Sequence, residues 1–387
     1  MPHLDGDDVR AVEVLCEIDD IAASSWDACA GTSDPFVSHA FLSVLERSGS
    51  AVADAGWLPQ HLVVRGKEGE VEAVAPLYLK GHSYGEYVFD WSWASAYERV
   101  GGRYYPKLQC CVPFTPVPGR RLLIRPGANR PELQKVLITA MAELTKRHEL
   151  SSMHVSFLCE EEQACCVDLG LLPRSGIQYH WHNRGYGSFD DFLAALVARK
   201  RKVIRRERRD AASSELRFVT LTGKAIEASH WEAFDSFYRD TTSRKWAEPY
   251  LTKDFFRQLG EVMPERVVLM MAEQGGKWVA GALHLLGEDA LFGRYWGTLV
   301  EQPFLHFELC YYRAIEFAIE RGLARVEAGA QGEHKISRGY LPQRTYSAHA
   351  LTDSGFREAV AAALQRESLA IARQEELLLE QSPYRQP

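Results

Sequence analysis

Residues 199–209 read Arg-Lys-Arg-Lys-Val-Ile-Arg-Arg-Glu-Arg-Arg, eight cations in eleven positions of a chain whose formal net charge is −7. Solubility does not call for such a cluster in an acidic protein. Its chemical use is to hold an anion: a phosphate-bearing cofactor, a nucleotide-linked substrate or an RNA backbone. Lys200, Arg201, Arg205 and Arg208 are spaced to share one helical face and are the first phosphate contacts to consider, with Arg244 and Lys245 as helpers. A solvated charged face is the alternative reading of the same run. A second set is aromatic: Asp90, Trp91, Trp93, Tyr97, Tyr104, Tyr105, Lys107 and Phe114. Rings with a few polar groups suit a small-molecule acceptor groove, or else the core of a lobe. A third set follows the glycine-containing stretch 327–335, where His334 and Lys335 precede Arg338. Arg338 has the fork that grips phosphate or carboxylate. Proton acceptors are available in Glu308, Glu327, Glu333 and His334, the last titrating near neutrality. His180 and His182 alternate with aromatics as in a half-buried strand and lack a third ligand nearby, so no metal site is expected.

These groups need elements to hold them. Ser188 is placed to cap a helix with Asp191 as capping-box partner. Phe189, Phe192, Leu193, Leu196, Val203 and Ile204 continue an apolar stripe, so the spacing predicts one basic amphipathic helix over 189–212. Two stretches about 205 residues apart, 60–79 and 266–285, each read as strand, glycine-containing turn and return strand. Each is followed by a β run ending in tryptophan, 86–91 and 291–296, then by a helix and a short strand. The repeated order predicts an α/β (α+β) protein of two tandem domains with mixed, mainly antiparallel sheets. The expected boundaries are 1–175, with an aromatic and proline-rich insertion at 92–124; 176–350; and a C-terminal helix and tail at 351–387.

Composition excludes several classes. The chain is 46% hydrophobic and 25% charged, an ordinary globular balance. No apolar run is long enough for a membrane span, and the acidic start lacks a signal peptide's pattern. The eight cysteines contain no C-x-x-C and read as reduced thiols, which places the protein in the cytoplasm.

In order along 185–340, the basic helix, Phe237-Tyr-Arg-Asp-Thr-Thr-Ser-Arg244, Val279–Leu285, Tyr295-Trp296-Gly297, the helix 305–321 and His334-Lys335 with Arg338-Gly-Tyr340 resemble the Fem-like predicted N-acyltransferases. That group has tandem acetyltransferase-type (GNAT) domains and is similar to the Fem enzymes that add amino acids to peptidoglycan precursors. The resemblance implies amide formation between an activated acyl or aminoacyl donor and an amine, with Lys335 serving the transfer; the base stays open among Glu308, Glu327, Glu333 and His334. It implies no bound cofactor, but a phosphate-bearing donor, aminoacyl-tRNA or an acyl thioester of the coenzyme A type, and a small amine acceptor. Tyr295 and Trp296 join Arg338 and the basic helix as substrate contacts. The Gly-rich pyrophosphate loop of ordinary acetyltransferases is missing. Two alternatives remain: an N-acyltransferase dependent on acyl-CoA or acyl carrier protein, and a non-catalytic protein binding RNA or a phosphorylated ligand.

Overall fold

The computed structural model describes residues 10–212, 215–244, 248–329 and 332–385. The chain folds as two compact units. Unit 1 comprises the described residues up to Ser175 together with Thr345–Ser368; unit 2 comprises Gly176–Arg344 and the chain from Leu369 onward.

Unit 1 runs β1 (Val12–Leu15), α1 (Ala23–Ala30), α2 (His39–Arg47), β2 (Trp57–Pro59), β3 (His61–Arg65), β4 (Val71–Ala75), β5 (Leu77–Lys80), α3 (Trp91–Arg99), β6 (Lys107–Cys110), β7 (Leu123–Ile124), α4 (Arg130–Arg147), β8 (Ser152–Leu158) and α5 (Glu160–Asp168). Strands β1, β3, β4 and β7 form one antiparallel sheet. Pro76 separates β4 from β5, and a residue without an N–H cannot continue the ladder, so β5 enters a different sheet. There β2 pairs β5, β5 pairs β6, and β6 pairs β8 in parallel. Residues 346–351 then pair β8 antiparallel.

The two faces of this second sheet differ sharply. Leu77, Leu108, Cys110, Met153, Val155 and Ala348 join Leu133, Leu137 and Met141 of α4 in an apolar core. Strand alternation and register put Tyr78, Lys80, Lys107, Gln109, Ser152, His154, Ser156, Ser347 and His349 on the other face, all of them buried.

Unit 2 begins within β9 (Leu172–His182) and continues α6 (Phe189–Ala195), α7 (Ala198–Ala211), β10 (Arg217–Thr222), α8 (Ala228–Ser243), α9 (Lys253–Val262), β11 (Val267–Gln274), β12 (Lys277–Leu286), β13 (Ala290–Thr298), α10 (Leu305–Phe307), α11 (Arg313–Glu320) and β14 (Arg325–Glu327). A π-helical turn, Glu308–Tyr312, joins α10 to α11. Then come β15 (Leu341–Leu351) and α12 (Ser354–Glu380). The sheet order is β10-β11-β12-β13-β14-β9, antiparallel except for the parallel β13–β14 pair. Gly297 lets α8 lie close on β13: a Cβ there would meet the Phe237 carbonyl oxygen at 2.2 Å. No helix among the described residues is long and apolar enough to cross a membrane. All eight cysteines are free thiols.

Two expected elements differ. The single helix over 189–212 is two helices, with Leu196 and Val197 extended between them. Val197 N donates to Pro383 O at 2.9 Å and Leu196 bridges Tyr384, so a distant segment takes the backbone bonds that a continuous helix would use. The β run expected over 86–91 is a loop leading into α3, with Gly85 and Tyr87 at positive φ, because Glu86 and Asp90 both turn inward to Lys107. Ser188 does cap α6, accepting from Asp191 N at 3.1 Å.

Candidate functional site

The segment after β14 folds back as a tight 3-10 turn, Glu333–Arg338, entered through Gly332 at φ +109° and left through Gly339 at φ +94°. Both values fall where L side chains strain, and a Cβ at Gly332 would also strike the His334 ring. The turn buries Lys335, which is 3% exposed. Its Nζ donates to the main-chain carbonyls of Ala328 (2.7 Å) and Gly329 (3.0 Å), and among the described residues it has no ion-pair partner. The Tyr179 ring lies 5.8 Å away. Burial without a carboxylate disfavours the charged form and brings the Lys335 pKa down to about 8.

His334 is exposed beside it. Its Nε2 lies 3.1 Å from Tyr311 OH, leaving Nδ1 as the other ring nitrogen. Burial of part of the ring, then the positive charges of Arg338 and Lys335, hold its pKa below the usual histidine value. Around it stand Phe307 at 5.5 Å, Tyr311 at 5.8 Å and His306 at 6.3 Å, with Trp296 packed 4.8 Å from His306. Tyr295 is half-buried against Tyr238 at 5.4 Å. The turn thus places a half-exposed aromatic wall around His334 and a buried ammonium at the next residue.

Several expected ligand contacts are already committed within the protein. Arg208 grips Glu308 with two parallel bonds (3.0 and 2.9 Å) and also reaches Glu316 at 3.1 Å. It therefore faces inward and is not a free phosphate contact. The same clamp, with Arg313 at 3.3 Å, makes Glu308 a counter-ion and no longer a ready base. Arg338 is buried over Phe307 (3.4 Å) and donates to Glu207 at 2.8 Å and to the His334 carbonyl at 2.7 Å. Tyr312 OH also bonds Glu207. Arg338 thus anchors the turn that carries His334 and Lys335. Arg244 is held by Asp240 and the Thr298 carbonyl, and Lys245 lies outside the described residues.

On α7, Ile204, Glu207 and Ala211 face inward, which sets the outer face. Arg199, Arg201, Lys202, Arg205, Arg206 and Arg209 line an open hollow of about 520 Å³. Lys200 and Arg208 do not line it. Arg201 also donates to the carbonyls of Ala194 and Leu196 at the end of α6, and Arg205 pairs with Asp190 at 3.1 Å. The sequence reading missed Arg199, Lys202, Arg206 and Arg209. The spacing of Ile204 and Ala211, seven residues apart, marked the buried side and could have located them.

In unit 1, the aromatic set separates into two layers. Tyr84, Phe89 and Trp91 are 53%, 42% and 44% exposed, with Phe89 stacked on Trp91 at 4.8 Å. Trp93 is buried against His349 (5.1 Å) under the Arg174 guanidinium, so it is core and no groove wall. Asp90 is buried as well, bound by Lys107 Nζ and Tyr104 OH, both at 2.6 Å. Tyr105 OH lies 2.7 Å from Ser83 Oγ. Lys107 further donates to Glu86 at 2.5 Å and Ser83 at 2.9 Å. Burial lowers the Lys107 pKa, yet its two carboxylates more than reverse this and leave it above the ordinary value. His180 and His182 lie on β9, His180 3.6 Å from Glu327, and the described residues contain no metal-binding group.

Comparison with known proteins adds family and fold. The FemAB-like family, described as peptidoglycan biosynthesis/recognition, matches residues 17–386. No curated protein matches the sequence. Among solved structures, FemX superposes with a TM-score of 0.56 at 11% identity, over 88% of this chain and 98% of its own. A C-terminal domain from Agrobacterium fabrum described as a lysylphosphatidylglycerol synthetase gives 0.55 at 9% identity, over 90% and 96%. L-PGS from Bacillus licheniformis gives 0.50 at 10% identity, over 87% and 97%.

Proposed function

Because this chain belongs to the FemAB-like family, we propose that it joins an activated acyl or aminoacyl group to an amine, with Lys335 at the reacting centre. The observation that carries the assignment is the buried Lys335 ammonium, tied to two main-chain carbonyls and, among the described residues, to no carboxylate. An ammonium has three protons to donate, and two are used. The third has no acceptor among the described residues and can meet the oxygen of a tetrahedral intermediate, where a donor in a dry site is worth most. In the transfer, the amine nitrogen bonds to the donor carbonyl carbon, and the bond from that carbon to the leaving oxygen or sulfur breaks. The leaving atom takes a proton from Lys335, whose pKa of about 8 keeps it charged at neutral pH yet able to release the proton. The proton lost by the attacking amine passes to His334, which is neutral at that pH.

The donor's phosphates belong on the outer face of α7. Arg199 to Arg209 span about 15 Å of helix, longer than one pyrophosphate needs, which favours the RNA backbone of an aminoacyl-tRNA over a coenzyme A thioester. Changing Arg199, Lys202, Arg206 and Arg209 together to Ser should lower the slope of log K against log salt for tRNA by about three. Fluorescence anisotropy over a salt series reads it. An unchanged slope removes RNA from the reading, and stronger protection of the fold by an acyl-CoA than by tRNA in a thermal-shift panel reassigns the donor.

A further inference from the structure

A second hollow lies in unit 2 between strand β10 and helix α11, lined by Thr220, Thr222, Arg313, Glu316, Phe317, Glu320 and Arg321. None of these residues belongs to the aromatic wall around His334. The cavity is about 270 Å³, room for roughly nine waters at about 30 Å³ each and below the usual range for drug-sized ligands. Its chemistry is mixed in sign. Helical spacing brings Arg313, Glu316, Glu320 and Arg321 to one side of α11. Glu316 is drawn to Arg208, and Arg313 lies 3.3 Å from Glu308. Glu320 and Arg321 have no ion pair among the described residues, and Arg321 rests over the Phe317 ring at 5.2 Å. The Thr220 and Thr222 hydroxyls carry no hydrogen bond among those residues either. Arg313 Nε is buried and makes no hydrogen bond among the described residues, its contact with Glu308 notwithstanding. The hollow thus offers unpaired charge of both signs and two hydroxyls within the space of one small molecule.

We propose that this hollow binds a free amino acid or an equally small zwitterion, its carboxylate on Arg321 and its ammonium on Glu320. An acid alone would meet the two glutamates, and an amine alone the two arginines. Only a ligand carrying both charges answers Arg321 and Glu320 together. An amino acid esterified to a carrier lacks the carboxylate, so this site is separate from any donor site.

Isothermal calorimetry of the full chain with L-serine should show saturable binding, while ethanolamine, propionate and L-serine methyl ester bind at least about ten-fold more weakly, because each lacks one charged partner. Glu320→Gln and Arg321→Gln, both at the surface, should each weaken L-serine by about ten-fold with an unchanged thermal midpoint. No saturable heat with glycine, L-serine or L-lysine overturns the proposal, as does equal binding by the methyl ester or by both variants. The measurement needs no acyl transfer, so its failure and a failure of the transferase reading are distinguishable.

Discussion

Each unit buries a lysine ammonium, and the two are compensated in opposite ways. Lys107 of unit 1 lies between Glu86 and Asp90, with Ser83 completing its shell, and its pKa rises. Lys335 of unit 2 donates to two peptide carbonyls and, among the described residues, meets no carboxylate, and its pKa falls to about 8. A carbonyl dipole can hold an ammonium in place without neutralising it. The first arrangement locks charge into structure; the second leaves it available for a reacting atom. Lys80 stands between them: it sits over the Trp57 ring at 3.6 Å, with Glu86 at 3.8 Å, and burial brings its pKa to about 7.

The largest effect that would test this contrast is on folding. Lys107→Met strands two buried carboxylates and should cost about 3–5 kcal/mol, read by urea unfolding. A loss below about 1 kcal/mol would show that Glu86 and Asp90 simply take up protons, and the structural role assigned to Lys107 would fall. Lys335→Met should do the reverse, keeping or raising stability at pH 7 while turnover drops by about 10²–10³-fold. Comparable turnover in that variant removes Lys335 from the chemistry.

The pH dependence sharpens the contrast further. Unfolded, Lys335 holds its proton up to its ordinary value of 10.5; folded, it releases it near 8. Between these values the unfolded chain binds more protons, so stability rises with pH across the window, by up to about 3 kcal/mol, and below pH 8 the gain is absent. Lys335→Met should remove that part of the rise, leaving the part due to Lys80. For the same reason turnover should decline above about pH 8. A profile flat to pH 10 would contradict a proton-donating role.

How much of this was legible depended on where each residue's partner lies in the chain. The Ser188 cap, the hairpins and the tandem order rest on local signals, three residues for a cap or a glycine-containing turn for a hairpin. Residue order along 185–340 also pointed to Lys335. The fate of Arg208 was not legible, because Glu308 and Glu316 are 100 and 108 residues away. Asp90, Trp91 and Trp93 read as one aromatic cluster, yet only Trp91 of the three is exposed, since Lys107 and Tyr104 draw Asp90 inward and Trp93 packs on His349, partners remote in sequence. The strand expected at 86–91 failed for the same reason: Lys107, on a strand not yet written at that point in the sequence, draws both carboxylates in.

The break between α6 and α7 has a consequence in time. At the break, Val197 N donates to Pro383 O and Arg385 N donates to Ala195 O. At about 5–20 residues per second of synthesis, roughly ten to forty seconds separate the two segments as the ribosome delivers them. During that interval nothing supplies those bonds, and the apolar stripe through both segments favours a single rod. The orientation of the arginine-rich helix is therefore a late decision, made after every other strand of its unit has been translated.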